Sequence, residues 1–428
     1  MPKKYFLITY GCQMNKSDSE RITAVLKEAG YKLASSIQEA DLVLTNMCSV
    51  RQSAVDRVYG LIPKFKNLKK KNSNLKTLLT GCILKKDKKK FAKEFDFVLN
   101  IKDLLNWSRF QNLKKAGRVY KDYLDVSPKY QNDFSAFIPI SNGCNNFCAY
   151  CVVPYVRGFL VCRNHEKILD EARNVIRGGF KEIWLLGQNV NDYQSPIDSS
   201  IHFPELLRKI NQIEGDFWIR FTSPNPKDFS ENLIKTMANS KKFAQYLNLP
   251  VQSGNNDVLK RMNRPYKIEQ YKKLVKKIRE KIPGISLSTD VIVGFPGETK
   301  KQFENTEKLL KEIKYDMAYI AQYSPRSQTA AFKLKDDVPH QEKERRFKIL
   351  SGILRKTALE KNKKLIGKTV EVLVMKNKKN FCMGKNRTYK TVKFEVPGSR
   401  PQDLIGQFVE VKIVKALPWG LEGLTKLK

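Results

Sequence analysis

Short apolar runs alternate with stretches of helical periodicity through the first 365 residues of this 428-residue chain, and this alternation most restricts how it can fold. Parallel strands need long crossover connections, usually helices, so the alternation predicts parallel sheets covered by helices. We therefore predict an α/β protein. The pattern changes near residues 125 and 365, which predicts domains at 1–125, 126–365 and 366–428.

The first domain is predicted to be a small parallel α/β domain in which each strand leads into a cysteine. The strands are Tyr5–Thr9, Leu42–Thr45 and Thr77–Thr80, and the cysteines are Cys12, Cys48 and Cys82. Because the carboxyl ends of parallel strands share one edge of a sheet, we expect the three thiols to converge there. Three buried structural cysteines are the alternative. Three thiols at one edge favour an iron–sulfur site.

The helices of this domain also have sequence signals. Ser17 and Glu20 have the spacing of a capping box, which predicts the start of the first helix. A second helix is predicted to include Val55–Phe65.

A local motif of the form Cys-x3-Cys-x2-Cys is formed by Cys144, Cys148 and Cys151. A structural zinc site normally closes with four ligands, and the closest histidine, His165, lies 14 residues past Cys151. A four-iron cluster held by three thiolates keeps one iron open for a small molecule. The motif therefore favours a reactive iron–sulfur cluster, with a zinc knuckle or chance clustering as the alternatives.

The middle domain has six strand-like runs separated by helical stretches, which predicts a partial (β/α)6 barrel. The runs are Phe137–Ile140, Glu182–Leu186, Phe217–Phe221, Tyr246–Leu249, Ser286–Val293 and Met317–Tyr323. Polar residues follow these strands at the edge where barrel enzymes build their sites. They include Gln188, Asn189, Thr222, Ser223, Gln252, Ser253 and Arg326. The turn Gly294–Thr299 indicates either close approach to a cofactor or only a tight turn.

After about Gly367 three strand-like runs predict a small β-barrel of ~60 residues. The runs are Thr369–Val374, Val392–Val396 and Phe408–Val414. Basic and aromatic residues here suit RNA, which proteins bind through phosphates and stacked bases. They are Arg387, Tyr389, Lys390, Lys393 and Phe394. A plain accessory barrel is the alternative.

The net charge of +37 favours a polyanionic partner, although part of the excess reflects ordinary solvated surface. Basic runs at Lys64–Lys71, Lys85–Lys93, Lys272–Lys281 and Lys343–Lys364 predict an extended footprint. No run approaches the ~18 apolar residues of a membrane span, and the first residues predict a strand instead of a signal peptide. With reduced cysteines, this predicts a cytoplasmic protein without a membrane partner. Cys162 and Cys382 are predicted to be non-ligands.

Six motifs resemble those of the radical S-adenosylmethionine (SAM) methylthiotransferases, and the resemblance covers nearly the whole chain. They are Tyr10–Asn15, Asn46–Arg51, Gly143–Tyr155, Leu186–Asn191, Leu249–Gly254 and Val293–Thr299. The resemblance implies an N-terminal methylthiotransferase domain, a radical SAM barrel and a C-terminal barrel of the TRAM type.

The same resemblance implies SAM and two [4Fe–4S] clusters as cofactors. Cys144, Cys148 and Cys151 would hold the cluster that binds and cleaves SAM, and Cys12, Cys48 and Cys82 the one that holds or supplies sulfur. The residues placed near SAM are Tyr150, Gln188, Asn189, Ser223 and Gln252. An unactivated C–H bond resists bases of ordinary pKa, so the cofactor carries the chemistry and the protein positions it.

The residues after Cys12 separate the branches of this family. Gln13-Met14-Asn15 resembles the branch that converts N6-isopentenyladenosine of tRNA, at position 37 beside the anticodon, to its 2-methylthio form. The implied partners are the anticodon stem-loop and a reductant such as flavodoxin or ferredoxin, with the enzyme a monomer. The alternatives are a methylthiotransferase for threonylcarbamoyladenosine tRNA or a ribosomal protein, where Gly-Cys-Lys-Val-Asn and Gly-Cys-Pro-Lys-Asn are usual, and a non-catalytic iron–sulfur RNA-binding protein.

Overall fold

The computed structural model describes residues 2–50, 52–107, 122–378, 381–396 and 401–425. Arg51 of the second motif and residues 108–121 of the predicted first domain lie outside the described residues. Within the described ranges, no helix has both the length and the apolar character needed to cross a membrane.

The N-terminal region forms a five-stranded sheet in which all neighbours are parallel. In chain order its elements are β1 (Lys4–Tyr10), α1 (Gln13–Glu28), β2 (Lys32–Leu33), β3 (Leu42–Cys48), α2 (Gln52–Lys71), β4 (Lys76–Cys82), α3 (Lys85–Phe91) and β5 (Phe97–Val98). The strand order is β2-β1-β3-β4-β5. All seven residues of the central strand β3 are buried, because apolar clusters cover both faces of the sheet.

The capping box predicted at Ser17 and Glu20 is wrong. α1 begins at Gln13 with Cys12 as its N-cap residue, so Ser17 and Glu20 lie inside the helix. The Ser17 hydroxyl instead accepts a hydrogen bond from the buried Arg21 guanidinium, at 2.7 Å. The spacing misled because both side chains make tertiary contacts instead of capping the first turn: Ser17 donates to the Phe137 carbonyl oxygen, and Glu20 accepts from the Gln131 amide.

The central region contains all six predicted strands, with ends that differ from the prediction by at most two residues. Its elements are β6 (Ser135–Pro139), β7 (Ser141–Asn142), α4 (Val153–Arg157), β8 (Val161–Cys162), α5 (His165–Arg177), β9 (Glu182–Leu186), α6 (Phe203–Asn211), β10 (Trp218–Phe221), α7 (Glu231–Asn239), β11 (Tyr246–Asn248), α8 (Asn256–Arg261), α9 (Ile268–Lys281), β12 (Ser286–Val293), α10 (Lys300–Ile313), β13 (Met317–Gln322) and α11 (His340–Lys363).

These strands form two parallel three-stranded sheets, β10-β9-β6 and β11-β12-β13. A parallel bridge links Ile219 of β10 to Phe243, in the segment that leads into β11, so the two sheets lie side by side as expected for the partial barrel. Its outer face packs against the helices through the largest apolar cluster of the described residues.

The C-terminal region is a closed barrel with the strand order β14-β15-β16-β18-β17. The strands are β14 (Thr369–Lys378), β15 (Phe381–Asn386), β16 (Thr391–Glu395), β17 (Phe408–Leu417) and β18 (Gly420–Thr425). The small barrel is confirmed, but the sequence did not indicate β15 and β18. Both contain glycine, which weakens a strand signal; at Gly384 a Cβ atom would lie 2.1 Å from a backbone oxygen of β14.

Of the five residues predicted to form an RNA surface on this barrel, three contact the central region, one is buried in the barrel, and Lys393 is exposed. Phe394 is in the barrel core, and Lys393 lies over an aromatic ring of β15. Arg387 donates hydrogen bonds to backbone carbonyls just before β11. Tyr389 packs on aromatic rings of the central region, and Lys390 pairs with a carboxylate there, at 2.8 Å. The turn between β15 and β16 therefore docks the barrel onto the central region.

Candidate active site

Cys12, Cys48 and Cys82 lie together at the carboxyl edge of the N-terminal sheet. Cys12 follows β1, while Cys48 and Cys82 end β3 and β4 and are register partners. Gly81 allows this close approach: its φ is +105°, and a Cβ atom would lie 2.2 Å from the carbonyl oxygen of Met47. Parallel pairing thus brings together thiols that are more than thirty residues apart in sequence.

Interactions among these three side chains lower the pKa of two thiols and raise the pKa of the third. Hydrogen bonding with Cys48 lowers the pKa of Cys12 to about 6. The same partner lowers the pKa of Cys82, with help from the charge of Arg157, whose Nε donates to the Cys82 sulfur at 3.0 Å. Hydrogen bonding with Cys12 and Cys82 raises the pKa of Cys48. Two of the three thiols are therefore disposed to be thiolates, the form that binds metal.

The Cys144–Cys151 loop is fixed by the residue that precedes it. Gly143 has a φ of +83°, and a Cβ atom there would lie 2.0 Å from the carbonyl oxygen of Phe159. The Gln188 side-chain oxygen accepts a hydrogen bond from the Gly143 amide, at 2.6 Å. The loop can therefore follow this path only with glycine at 143.

Polar side chains also reach the sulfur atoms of this loop. Arg264 donates to the Cys148 sulfur and Asn146 to the Cys144 sulfur, each at 3.5 Å. Burial raises the pKa of Cys144 and that of Cys151 to about 12. A positively charged cluster would offset this cost, because it binds the thiolate form and compensates its charge.

The donor set at both places fits iron–sulfur clusters. All eight cysteines are free thiols, and each trio offers three sulfur atoms. In the described ranges, no three Cys, His, Asp or Glu side chains are arranged to hold a single metal ion. A four-iron cube presents each thiolate with its own iron, so its ligands stand further apart than those of one ion.

The remaining predicted site residues fall into two groups. Gln188 and Ser223 line a cavity described below, whereas Tyr150, Asn189 and Gln252 do not. Tyr150 packs in an apolar cluster beside the loop, and burial raises its pKa. The Asn189 side chain bonds to Asp228 and to a backbone amide, so its polar atoms already have protein partners.

Two of these residues have strained backbones. Ser223 has a φ of +57° and Gln252 a φ of +68°, the left-handed region that non-glycine residues seldom adopt. Both lie at the carboxyl edge of the partial barrel. Strain of this kind concentrates at functional sites, where the surrounding structure stabilises it.

A cavity of about 340 Å³ lies between the N-terminal sheet and the partial barrel. One wall contains Cys12 and Cys48, and the opposite wall contains Gln188, the residue that anchors the other cysteine loop. The lining residues are Tyr10, Gly11, Cys12, Gln13, Met14, Cys48, Val50, Ser53, Ala54, Arg57, Val153, Leu186, Gly187, Gln188, Thr222 and Ser223. A ligand in this cavity would meet both regions at once.

Two arginines outside the predicted site also donate hydrogen bonds to cysteine sulfurs. Arg157 and Arg264 contact cysteine sulfurs, and no sequence argument singled them out. A signal existed for Arg157, which is a charged residue in an otherwise apolar stretch directly after Cys151. For Arg264 there was no comparable signal, because only the fold brings it to Cys148.

The turn at Gly294 and Gly297 holds the helices together and does not line the cavity. The Glu298 carboxylate accepts from the Gly294 amide at 2.6 Å and pairs with Arg346 of α11 at 2.7 Å. Of the two readings, the contacts favour the tight turn. Cys382 is buried in the C-terminal barrel and Cys162 packs against the core of the partial barrel, both away from the trios.

Family models match three parts of the chain. Residues 138–310 match the Radical SAM superfamily, residues 4–101 match the Uncharacterized protein family UPF0004, and residues 363–424 match the TRAM domain. Among solved structures, the radical SAM methyltransferase TsrM from Kitasatospora setae is 14% identical with a TM-score of 0.53, covering 75% of each chain. The cobalamin-dependent radical enzyme OxsB is 12% identical with a TM-score of 0.54, covering 82% of this chain and 56% of its own.

Fold and site together define a radical SAM enzyme with an additional cysteine trio. The chain belongs to the family of the tRNA-2-methylthio-N(6)-dimethylallyladenosine synthases. It is 42% identical to the protein of that name from Clostridium botulinum (strain Langeland / NCTC 10281 / Type F), over 98% of this chain and 96% of the relative. The protein of that name from Clostridium tetani is 40% identical, over 98% and 95%.

Proposed function

We propose that the protein converts N6-isopentenyladenosine, beside the tRNA anticodon, to 2-methylthio-N6-isopentenyladenosine. The isopentenyl group of this nucleoside is the dimethylallyl group in the names of its relatives. The observation that carries the proposal is the cavity that Cys12 and Cys48 share with Gln188, the residue that holds the Cys144–Cys151 loop, because sulfur insertion requires one base to be reached from both cysteine sites. The hydrogen at adenine C2 is replaced by sulfur, which also receives a methyl group from SAM.

The cavity also supports the choice of substrate. Tyr10, Met14, Val50, Ala54 and Leu186 give it an apolar lining, which suits a branched hydrocarbon group. Gln13 adds a polar side chain from the start of α1. Asn15, the third residue of this motif, does not line the cavity.

The proposed cofactors are SAM and one [4Fe–4S] cluster on each trio, Cys144, Cys148 and Cys151 in one case and Cys12, Cys48 and Cys82 in the other. When bound, they supply the electron that cleaves SAM and the sulfur that is inserted. The protein contributes binding and orientation: Gln188 fixes the cysteine loop, and Ser223 presents a strained turn to the cavity. Tyr150, Asn189 and Gln252 remain proposed SAM-binding residues.

The anticodon stem-loop is the proposed RNA partner. Its loop is single-stranded, so the target base can turn into a pocket at modest cost. The net charge of +37 supports binding to the phosphates. Part of one basic run has another role, since Lys343 and Arg346 are buried and paired with carboxylates.

We further propose a monomer that receives electrons from an acidic redox protein such as flavodoxin or ferredoxin, because opposite charge speeds such encounters. The free thiols and a tRNA substrate support a cytoplasmic location. The proposed domain division is 1–125, 126–365 and 366–428.

Mass spectrometry of tRNA nucleosides tests the proposed function. Deletion of the gene should remove 2-methylthio-N6-isopentenyladenosine and leave N6-isopentenyladenosine, and the intact gene should restore it. A Cys12→Ala variant should fail to restore it, whereas Cys162→Ala should succeed because that thiol lies outside both trios. Persistence of the product after deletion would show that the proposed substrate is wrong.

A threonylcarbamoyladenosine substrate is the second candidate, and Arg57 is the observation in its favour. Arg57 lines the cavity, where a guanidinium would suit the carboxylate of that nucleoside, although it also lies over the Tyr10 ring at 5.8 Å. The same nucleoside measurement decides, because deletion would then remove the methylthio form of threonylcarbamoyladenosine.

A further inference from the structure

A buried arginine of the partial barrel reaches the cysteine trio of the other domain. We propose that Arg157 is a positioning residue for the Cys12–Cys48–Cys82 site. Its hydrogen bond to the Cys82 sulfur would raise the reduction potential of the cluster bound there. This inference rests on the proposed function, because it takes the trio to be a cluster site.

The contact is short and shielded from water. Arg157 is the last residue of α4, six residues after Cys151, and is 2% exposed. Its Nε atom lies 3.0 Å from the Cys82 sulfur. Cys82 is itself 3% exposed. In such a dry environment a charged donor acts strongly on a sulfur ligand, because little solvent screens it.

Three other groups hold the guanidinium in place. One terminal nitrogen donates to the Asp18 carboxylate at 2.6 Å. The other donates to the Asn142 side-chain oxygen at 3.0 Å and to the Tyr123 hydroxyl at 3.5 Å. The planar fork of arginine is thus held along both terminal nitrogens, and the Nε–H that remains is directed at Cys82.

A purely structural ion pair would not need this fourth contact. Asp18 already compensates the buried charge of Arg157, and both side chains are almost fully buried. Sulfur of a neutral thiol accepts hydrogen bonds weakly, whereas a cluster-bound thiolate accepts them well. Hydrogen bonds and positive charge at ligand sulfurs stabilise the reduced cluster, so they raise its reduction potential.

The same side chain joins the two sites mechanically. α4 begins two residues after Cys151, and Asn142 precedes the Cys144 loop by two residues. Asp18 lies in α1 and Cys82 ends β4, both in the N-terminal region. Arg157 therefore fixes the trio of one region relative to the cysteine loop of the other.

The test uses the full chain with Cys144→Ala, Cys148→Ala and Cys151→Ala, so that only the second cluster can form. After anaerobic reconstitution, the midpoint potential is measured by a redox titration followed by electron paramagnetic resonance. Arg157→Met, which keeps bulk and removes the donor, should shift the potential to a more negative value. Arg157→Lys keeps the charge and should shift it less.

Arg163→Met is the matched control. Arg163 is also buried, and it pairs with Glu171 at 2.9 Å and donates to a backbone carbonyl, but among the described residues it has no hydrogen bond to a cysteine of either trio. The midpoint potential of the Arg163→Met variant should equal that of the parent triple variant. An unshifted potential in Arg157→Met, or equal loss of iron in both variants, would overturn the inference.

Two further outcomes distinguish failure of this inference from failure of the proposed function. If Arg157→Met alone loses iron, Arg157→Lys is measured, and an unshifted potential there also overturns the inference. If the parent triple variant holds no cluster, the proposed function itself is contradicted, and the inference falls with it.

Discussion

The side-chain amides of Asn15 and Asn46 bond to each other at the edge of the N-terminal sheet. The Asn15 side-chain nitrogen donates to the Asn46 side-chain oxygen at 3.0 Å, and the Asn46 side-chain nitrogen donates to the Asn15 backbone carbonyl at 2.8 Å. The Asn15 side-chain oxygen also accepts a hydrogen bond from the Cys12 backbone amide at 3.3 Å. This pair ties the turn of Cys12 to the strand that ends in Cys48, and both amides are fully buried.

Replacing Asn15 by alanine should destabilise the N-terminal sheet and reduce cluster binding. The change leaves the buried Asn46 side-chain oxygen without the Asn15 donor and the Cys12 amide without its acceptor, which costs about 1–3 kcal/mol. Denaturant unfolding should show this loss, and iron content after reconstitution should fall. The exposed Asn74 of the same domain is the control; Asn74→Ala should change stability by less than about 0.5 kcal/mol.

Iron content should separate the two cysteine trios. Anaerobic reconstitution should give about eight irons per chain, and the combined Cys144→Ala, Cys148→Ala and Cys151→Ala variant about four. Cys382→Ala should retain the parental content, because Cys382 lies in the core of the C-terminal barrel. About four irons in the parent protein would contradict a second cluster.

Gly143→Ala should abolish the cluster on the Cys144–Cys151 loop and spare the other. The new Cβ atom would collide with the Phe159 carbonyl oxygen, at 2.0 Å, so the loop must move. Iron should fall from about eight to about four per chain.

Gly179→Ala controls for the backbone conformation. Gly179 has a similar φ, +88°, but nothing lies within 4 Å of its added Cβ atom. It should cost only the ~1–2 kcal/mol of a left-handed alanine and keep both clusters. Equal iron loss in the two variants would show that strain, and not the collision, is responsible.

Arg220 should prove essential for docking the C-terminal barrel. It is fully buried, pairs with Glu182 at 2.6 Å, and donates to the carbonyl oxygens of Asn386 and Arg387, each at 3.1 Å. Arg220→Met leaves Glu182 as an unpaired buried charge, which costs about 3–5 kcal/mol. Denaturant unfolding should report the loss, and limited proteolysis should cleave the barrel region faster.

Two comparisons locate the cause of the Arg220 effect. Adding Glu182→Gln to Arg220→Met should recover part of the stability, because the unpaired charge is removed. Arg208→Met breaks an exposed pair with Glu205 and should cost less than about 1 kcal/mol. If the double variant is no more stable than the single one, the buried charge is not the reason.

Glu20 should make the protein less stable as the pH rises. Burial raises the pKa of Glu20 from an ordinary 4.5 to about 8, and among the described residues its Oε2 atom has no hydrogen-bond partner. Between these pH values the folded state keeps a proton that the unfolded state has released, so stability falls from about pH 4.5 to pH 8.

Glu20→Gln should remove this dependence. The difference in unfolding free energy between pH 6 and pH 9 should shrink by on the order of 2 kcal/mol, with the variant the more stable protein at pH 9. Glu28→Gln, on the exposed end of the same helix, should leave the difference unchanged. A parental pH dependence in Glu20→Gln would contradict the raised pKa.

Periodicity along the chain was enough to predict the α/β class, the six strands of the partial barrel and the small C-terminal barrel. Strand signals such as Glu182–Leu186 are local, because a short run of apolar residues must be buried wherever it lies. The two cysteine trios were also visible, one through its spacing and the other because parallel strands end at one edge.

Only the tertiary structure decided what the polar residues contact. Arg387, Tyr389 and Lys390 were predicted to face RNA, but they dock one barrel onto another. Ser17 resembled a helix start, but its hydroxyl instead donates to the carbonyl oxygen of Phe137, a residue of the partial barrel. Composition indicates which groups can bind a charge or an aromatic ring, whereas the partner is set by packing between segments far apart in sequence.

The two trios show the same division. Cys144, Cys148 and Cys151 are close because they are neighbours in sequence, so their spacing alone predicts a single site. The cavity that Cys12 and Cys48 share with Gln188, and the reach of Arg157 to the Cys82 sulfur, depend on how two sheets pack together. That packing is a sum of many non-local contacts, and it has no local signal in the sequence.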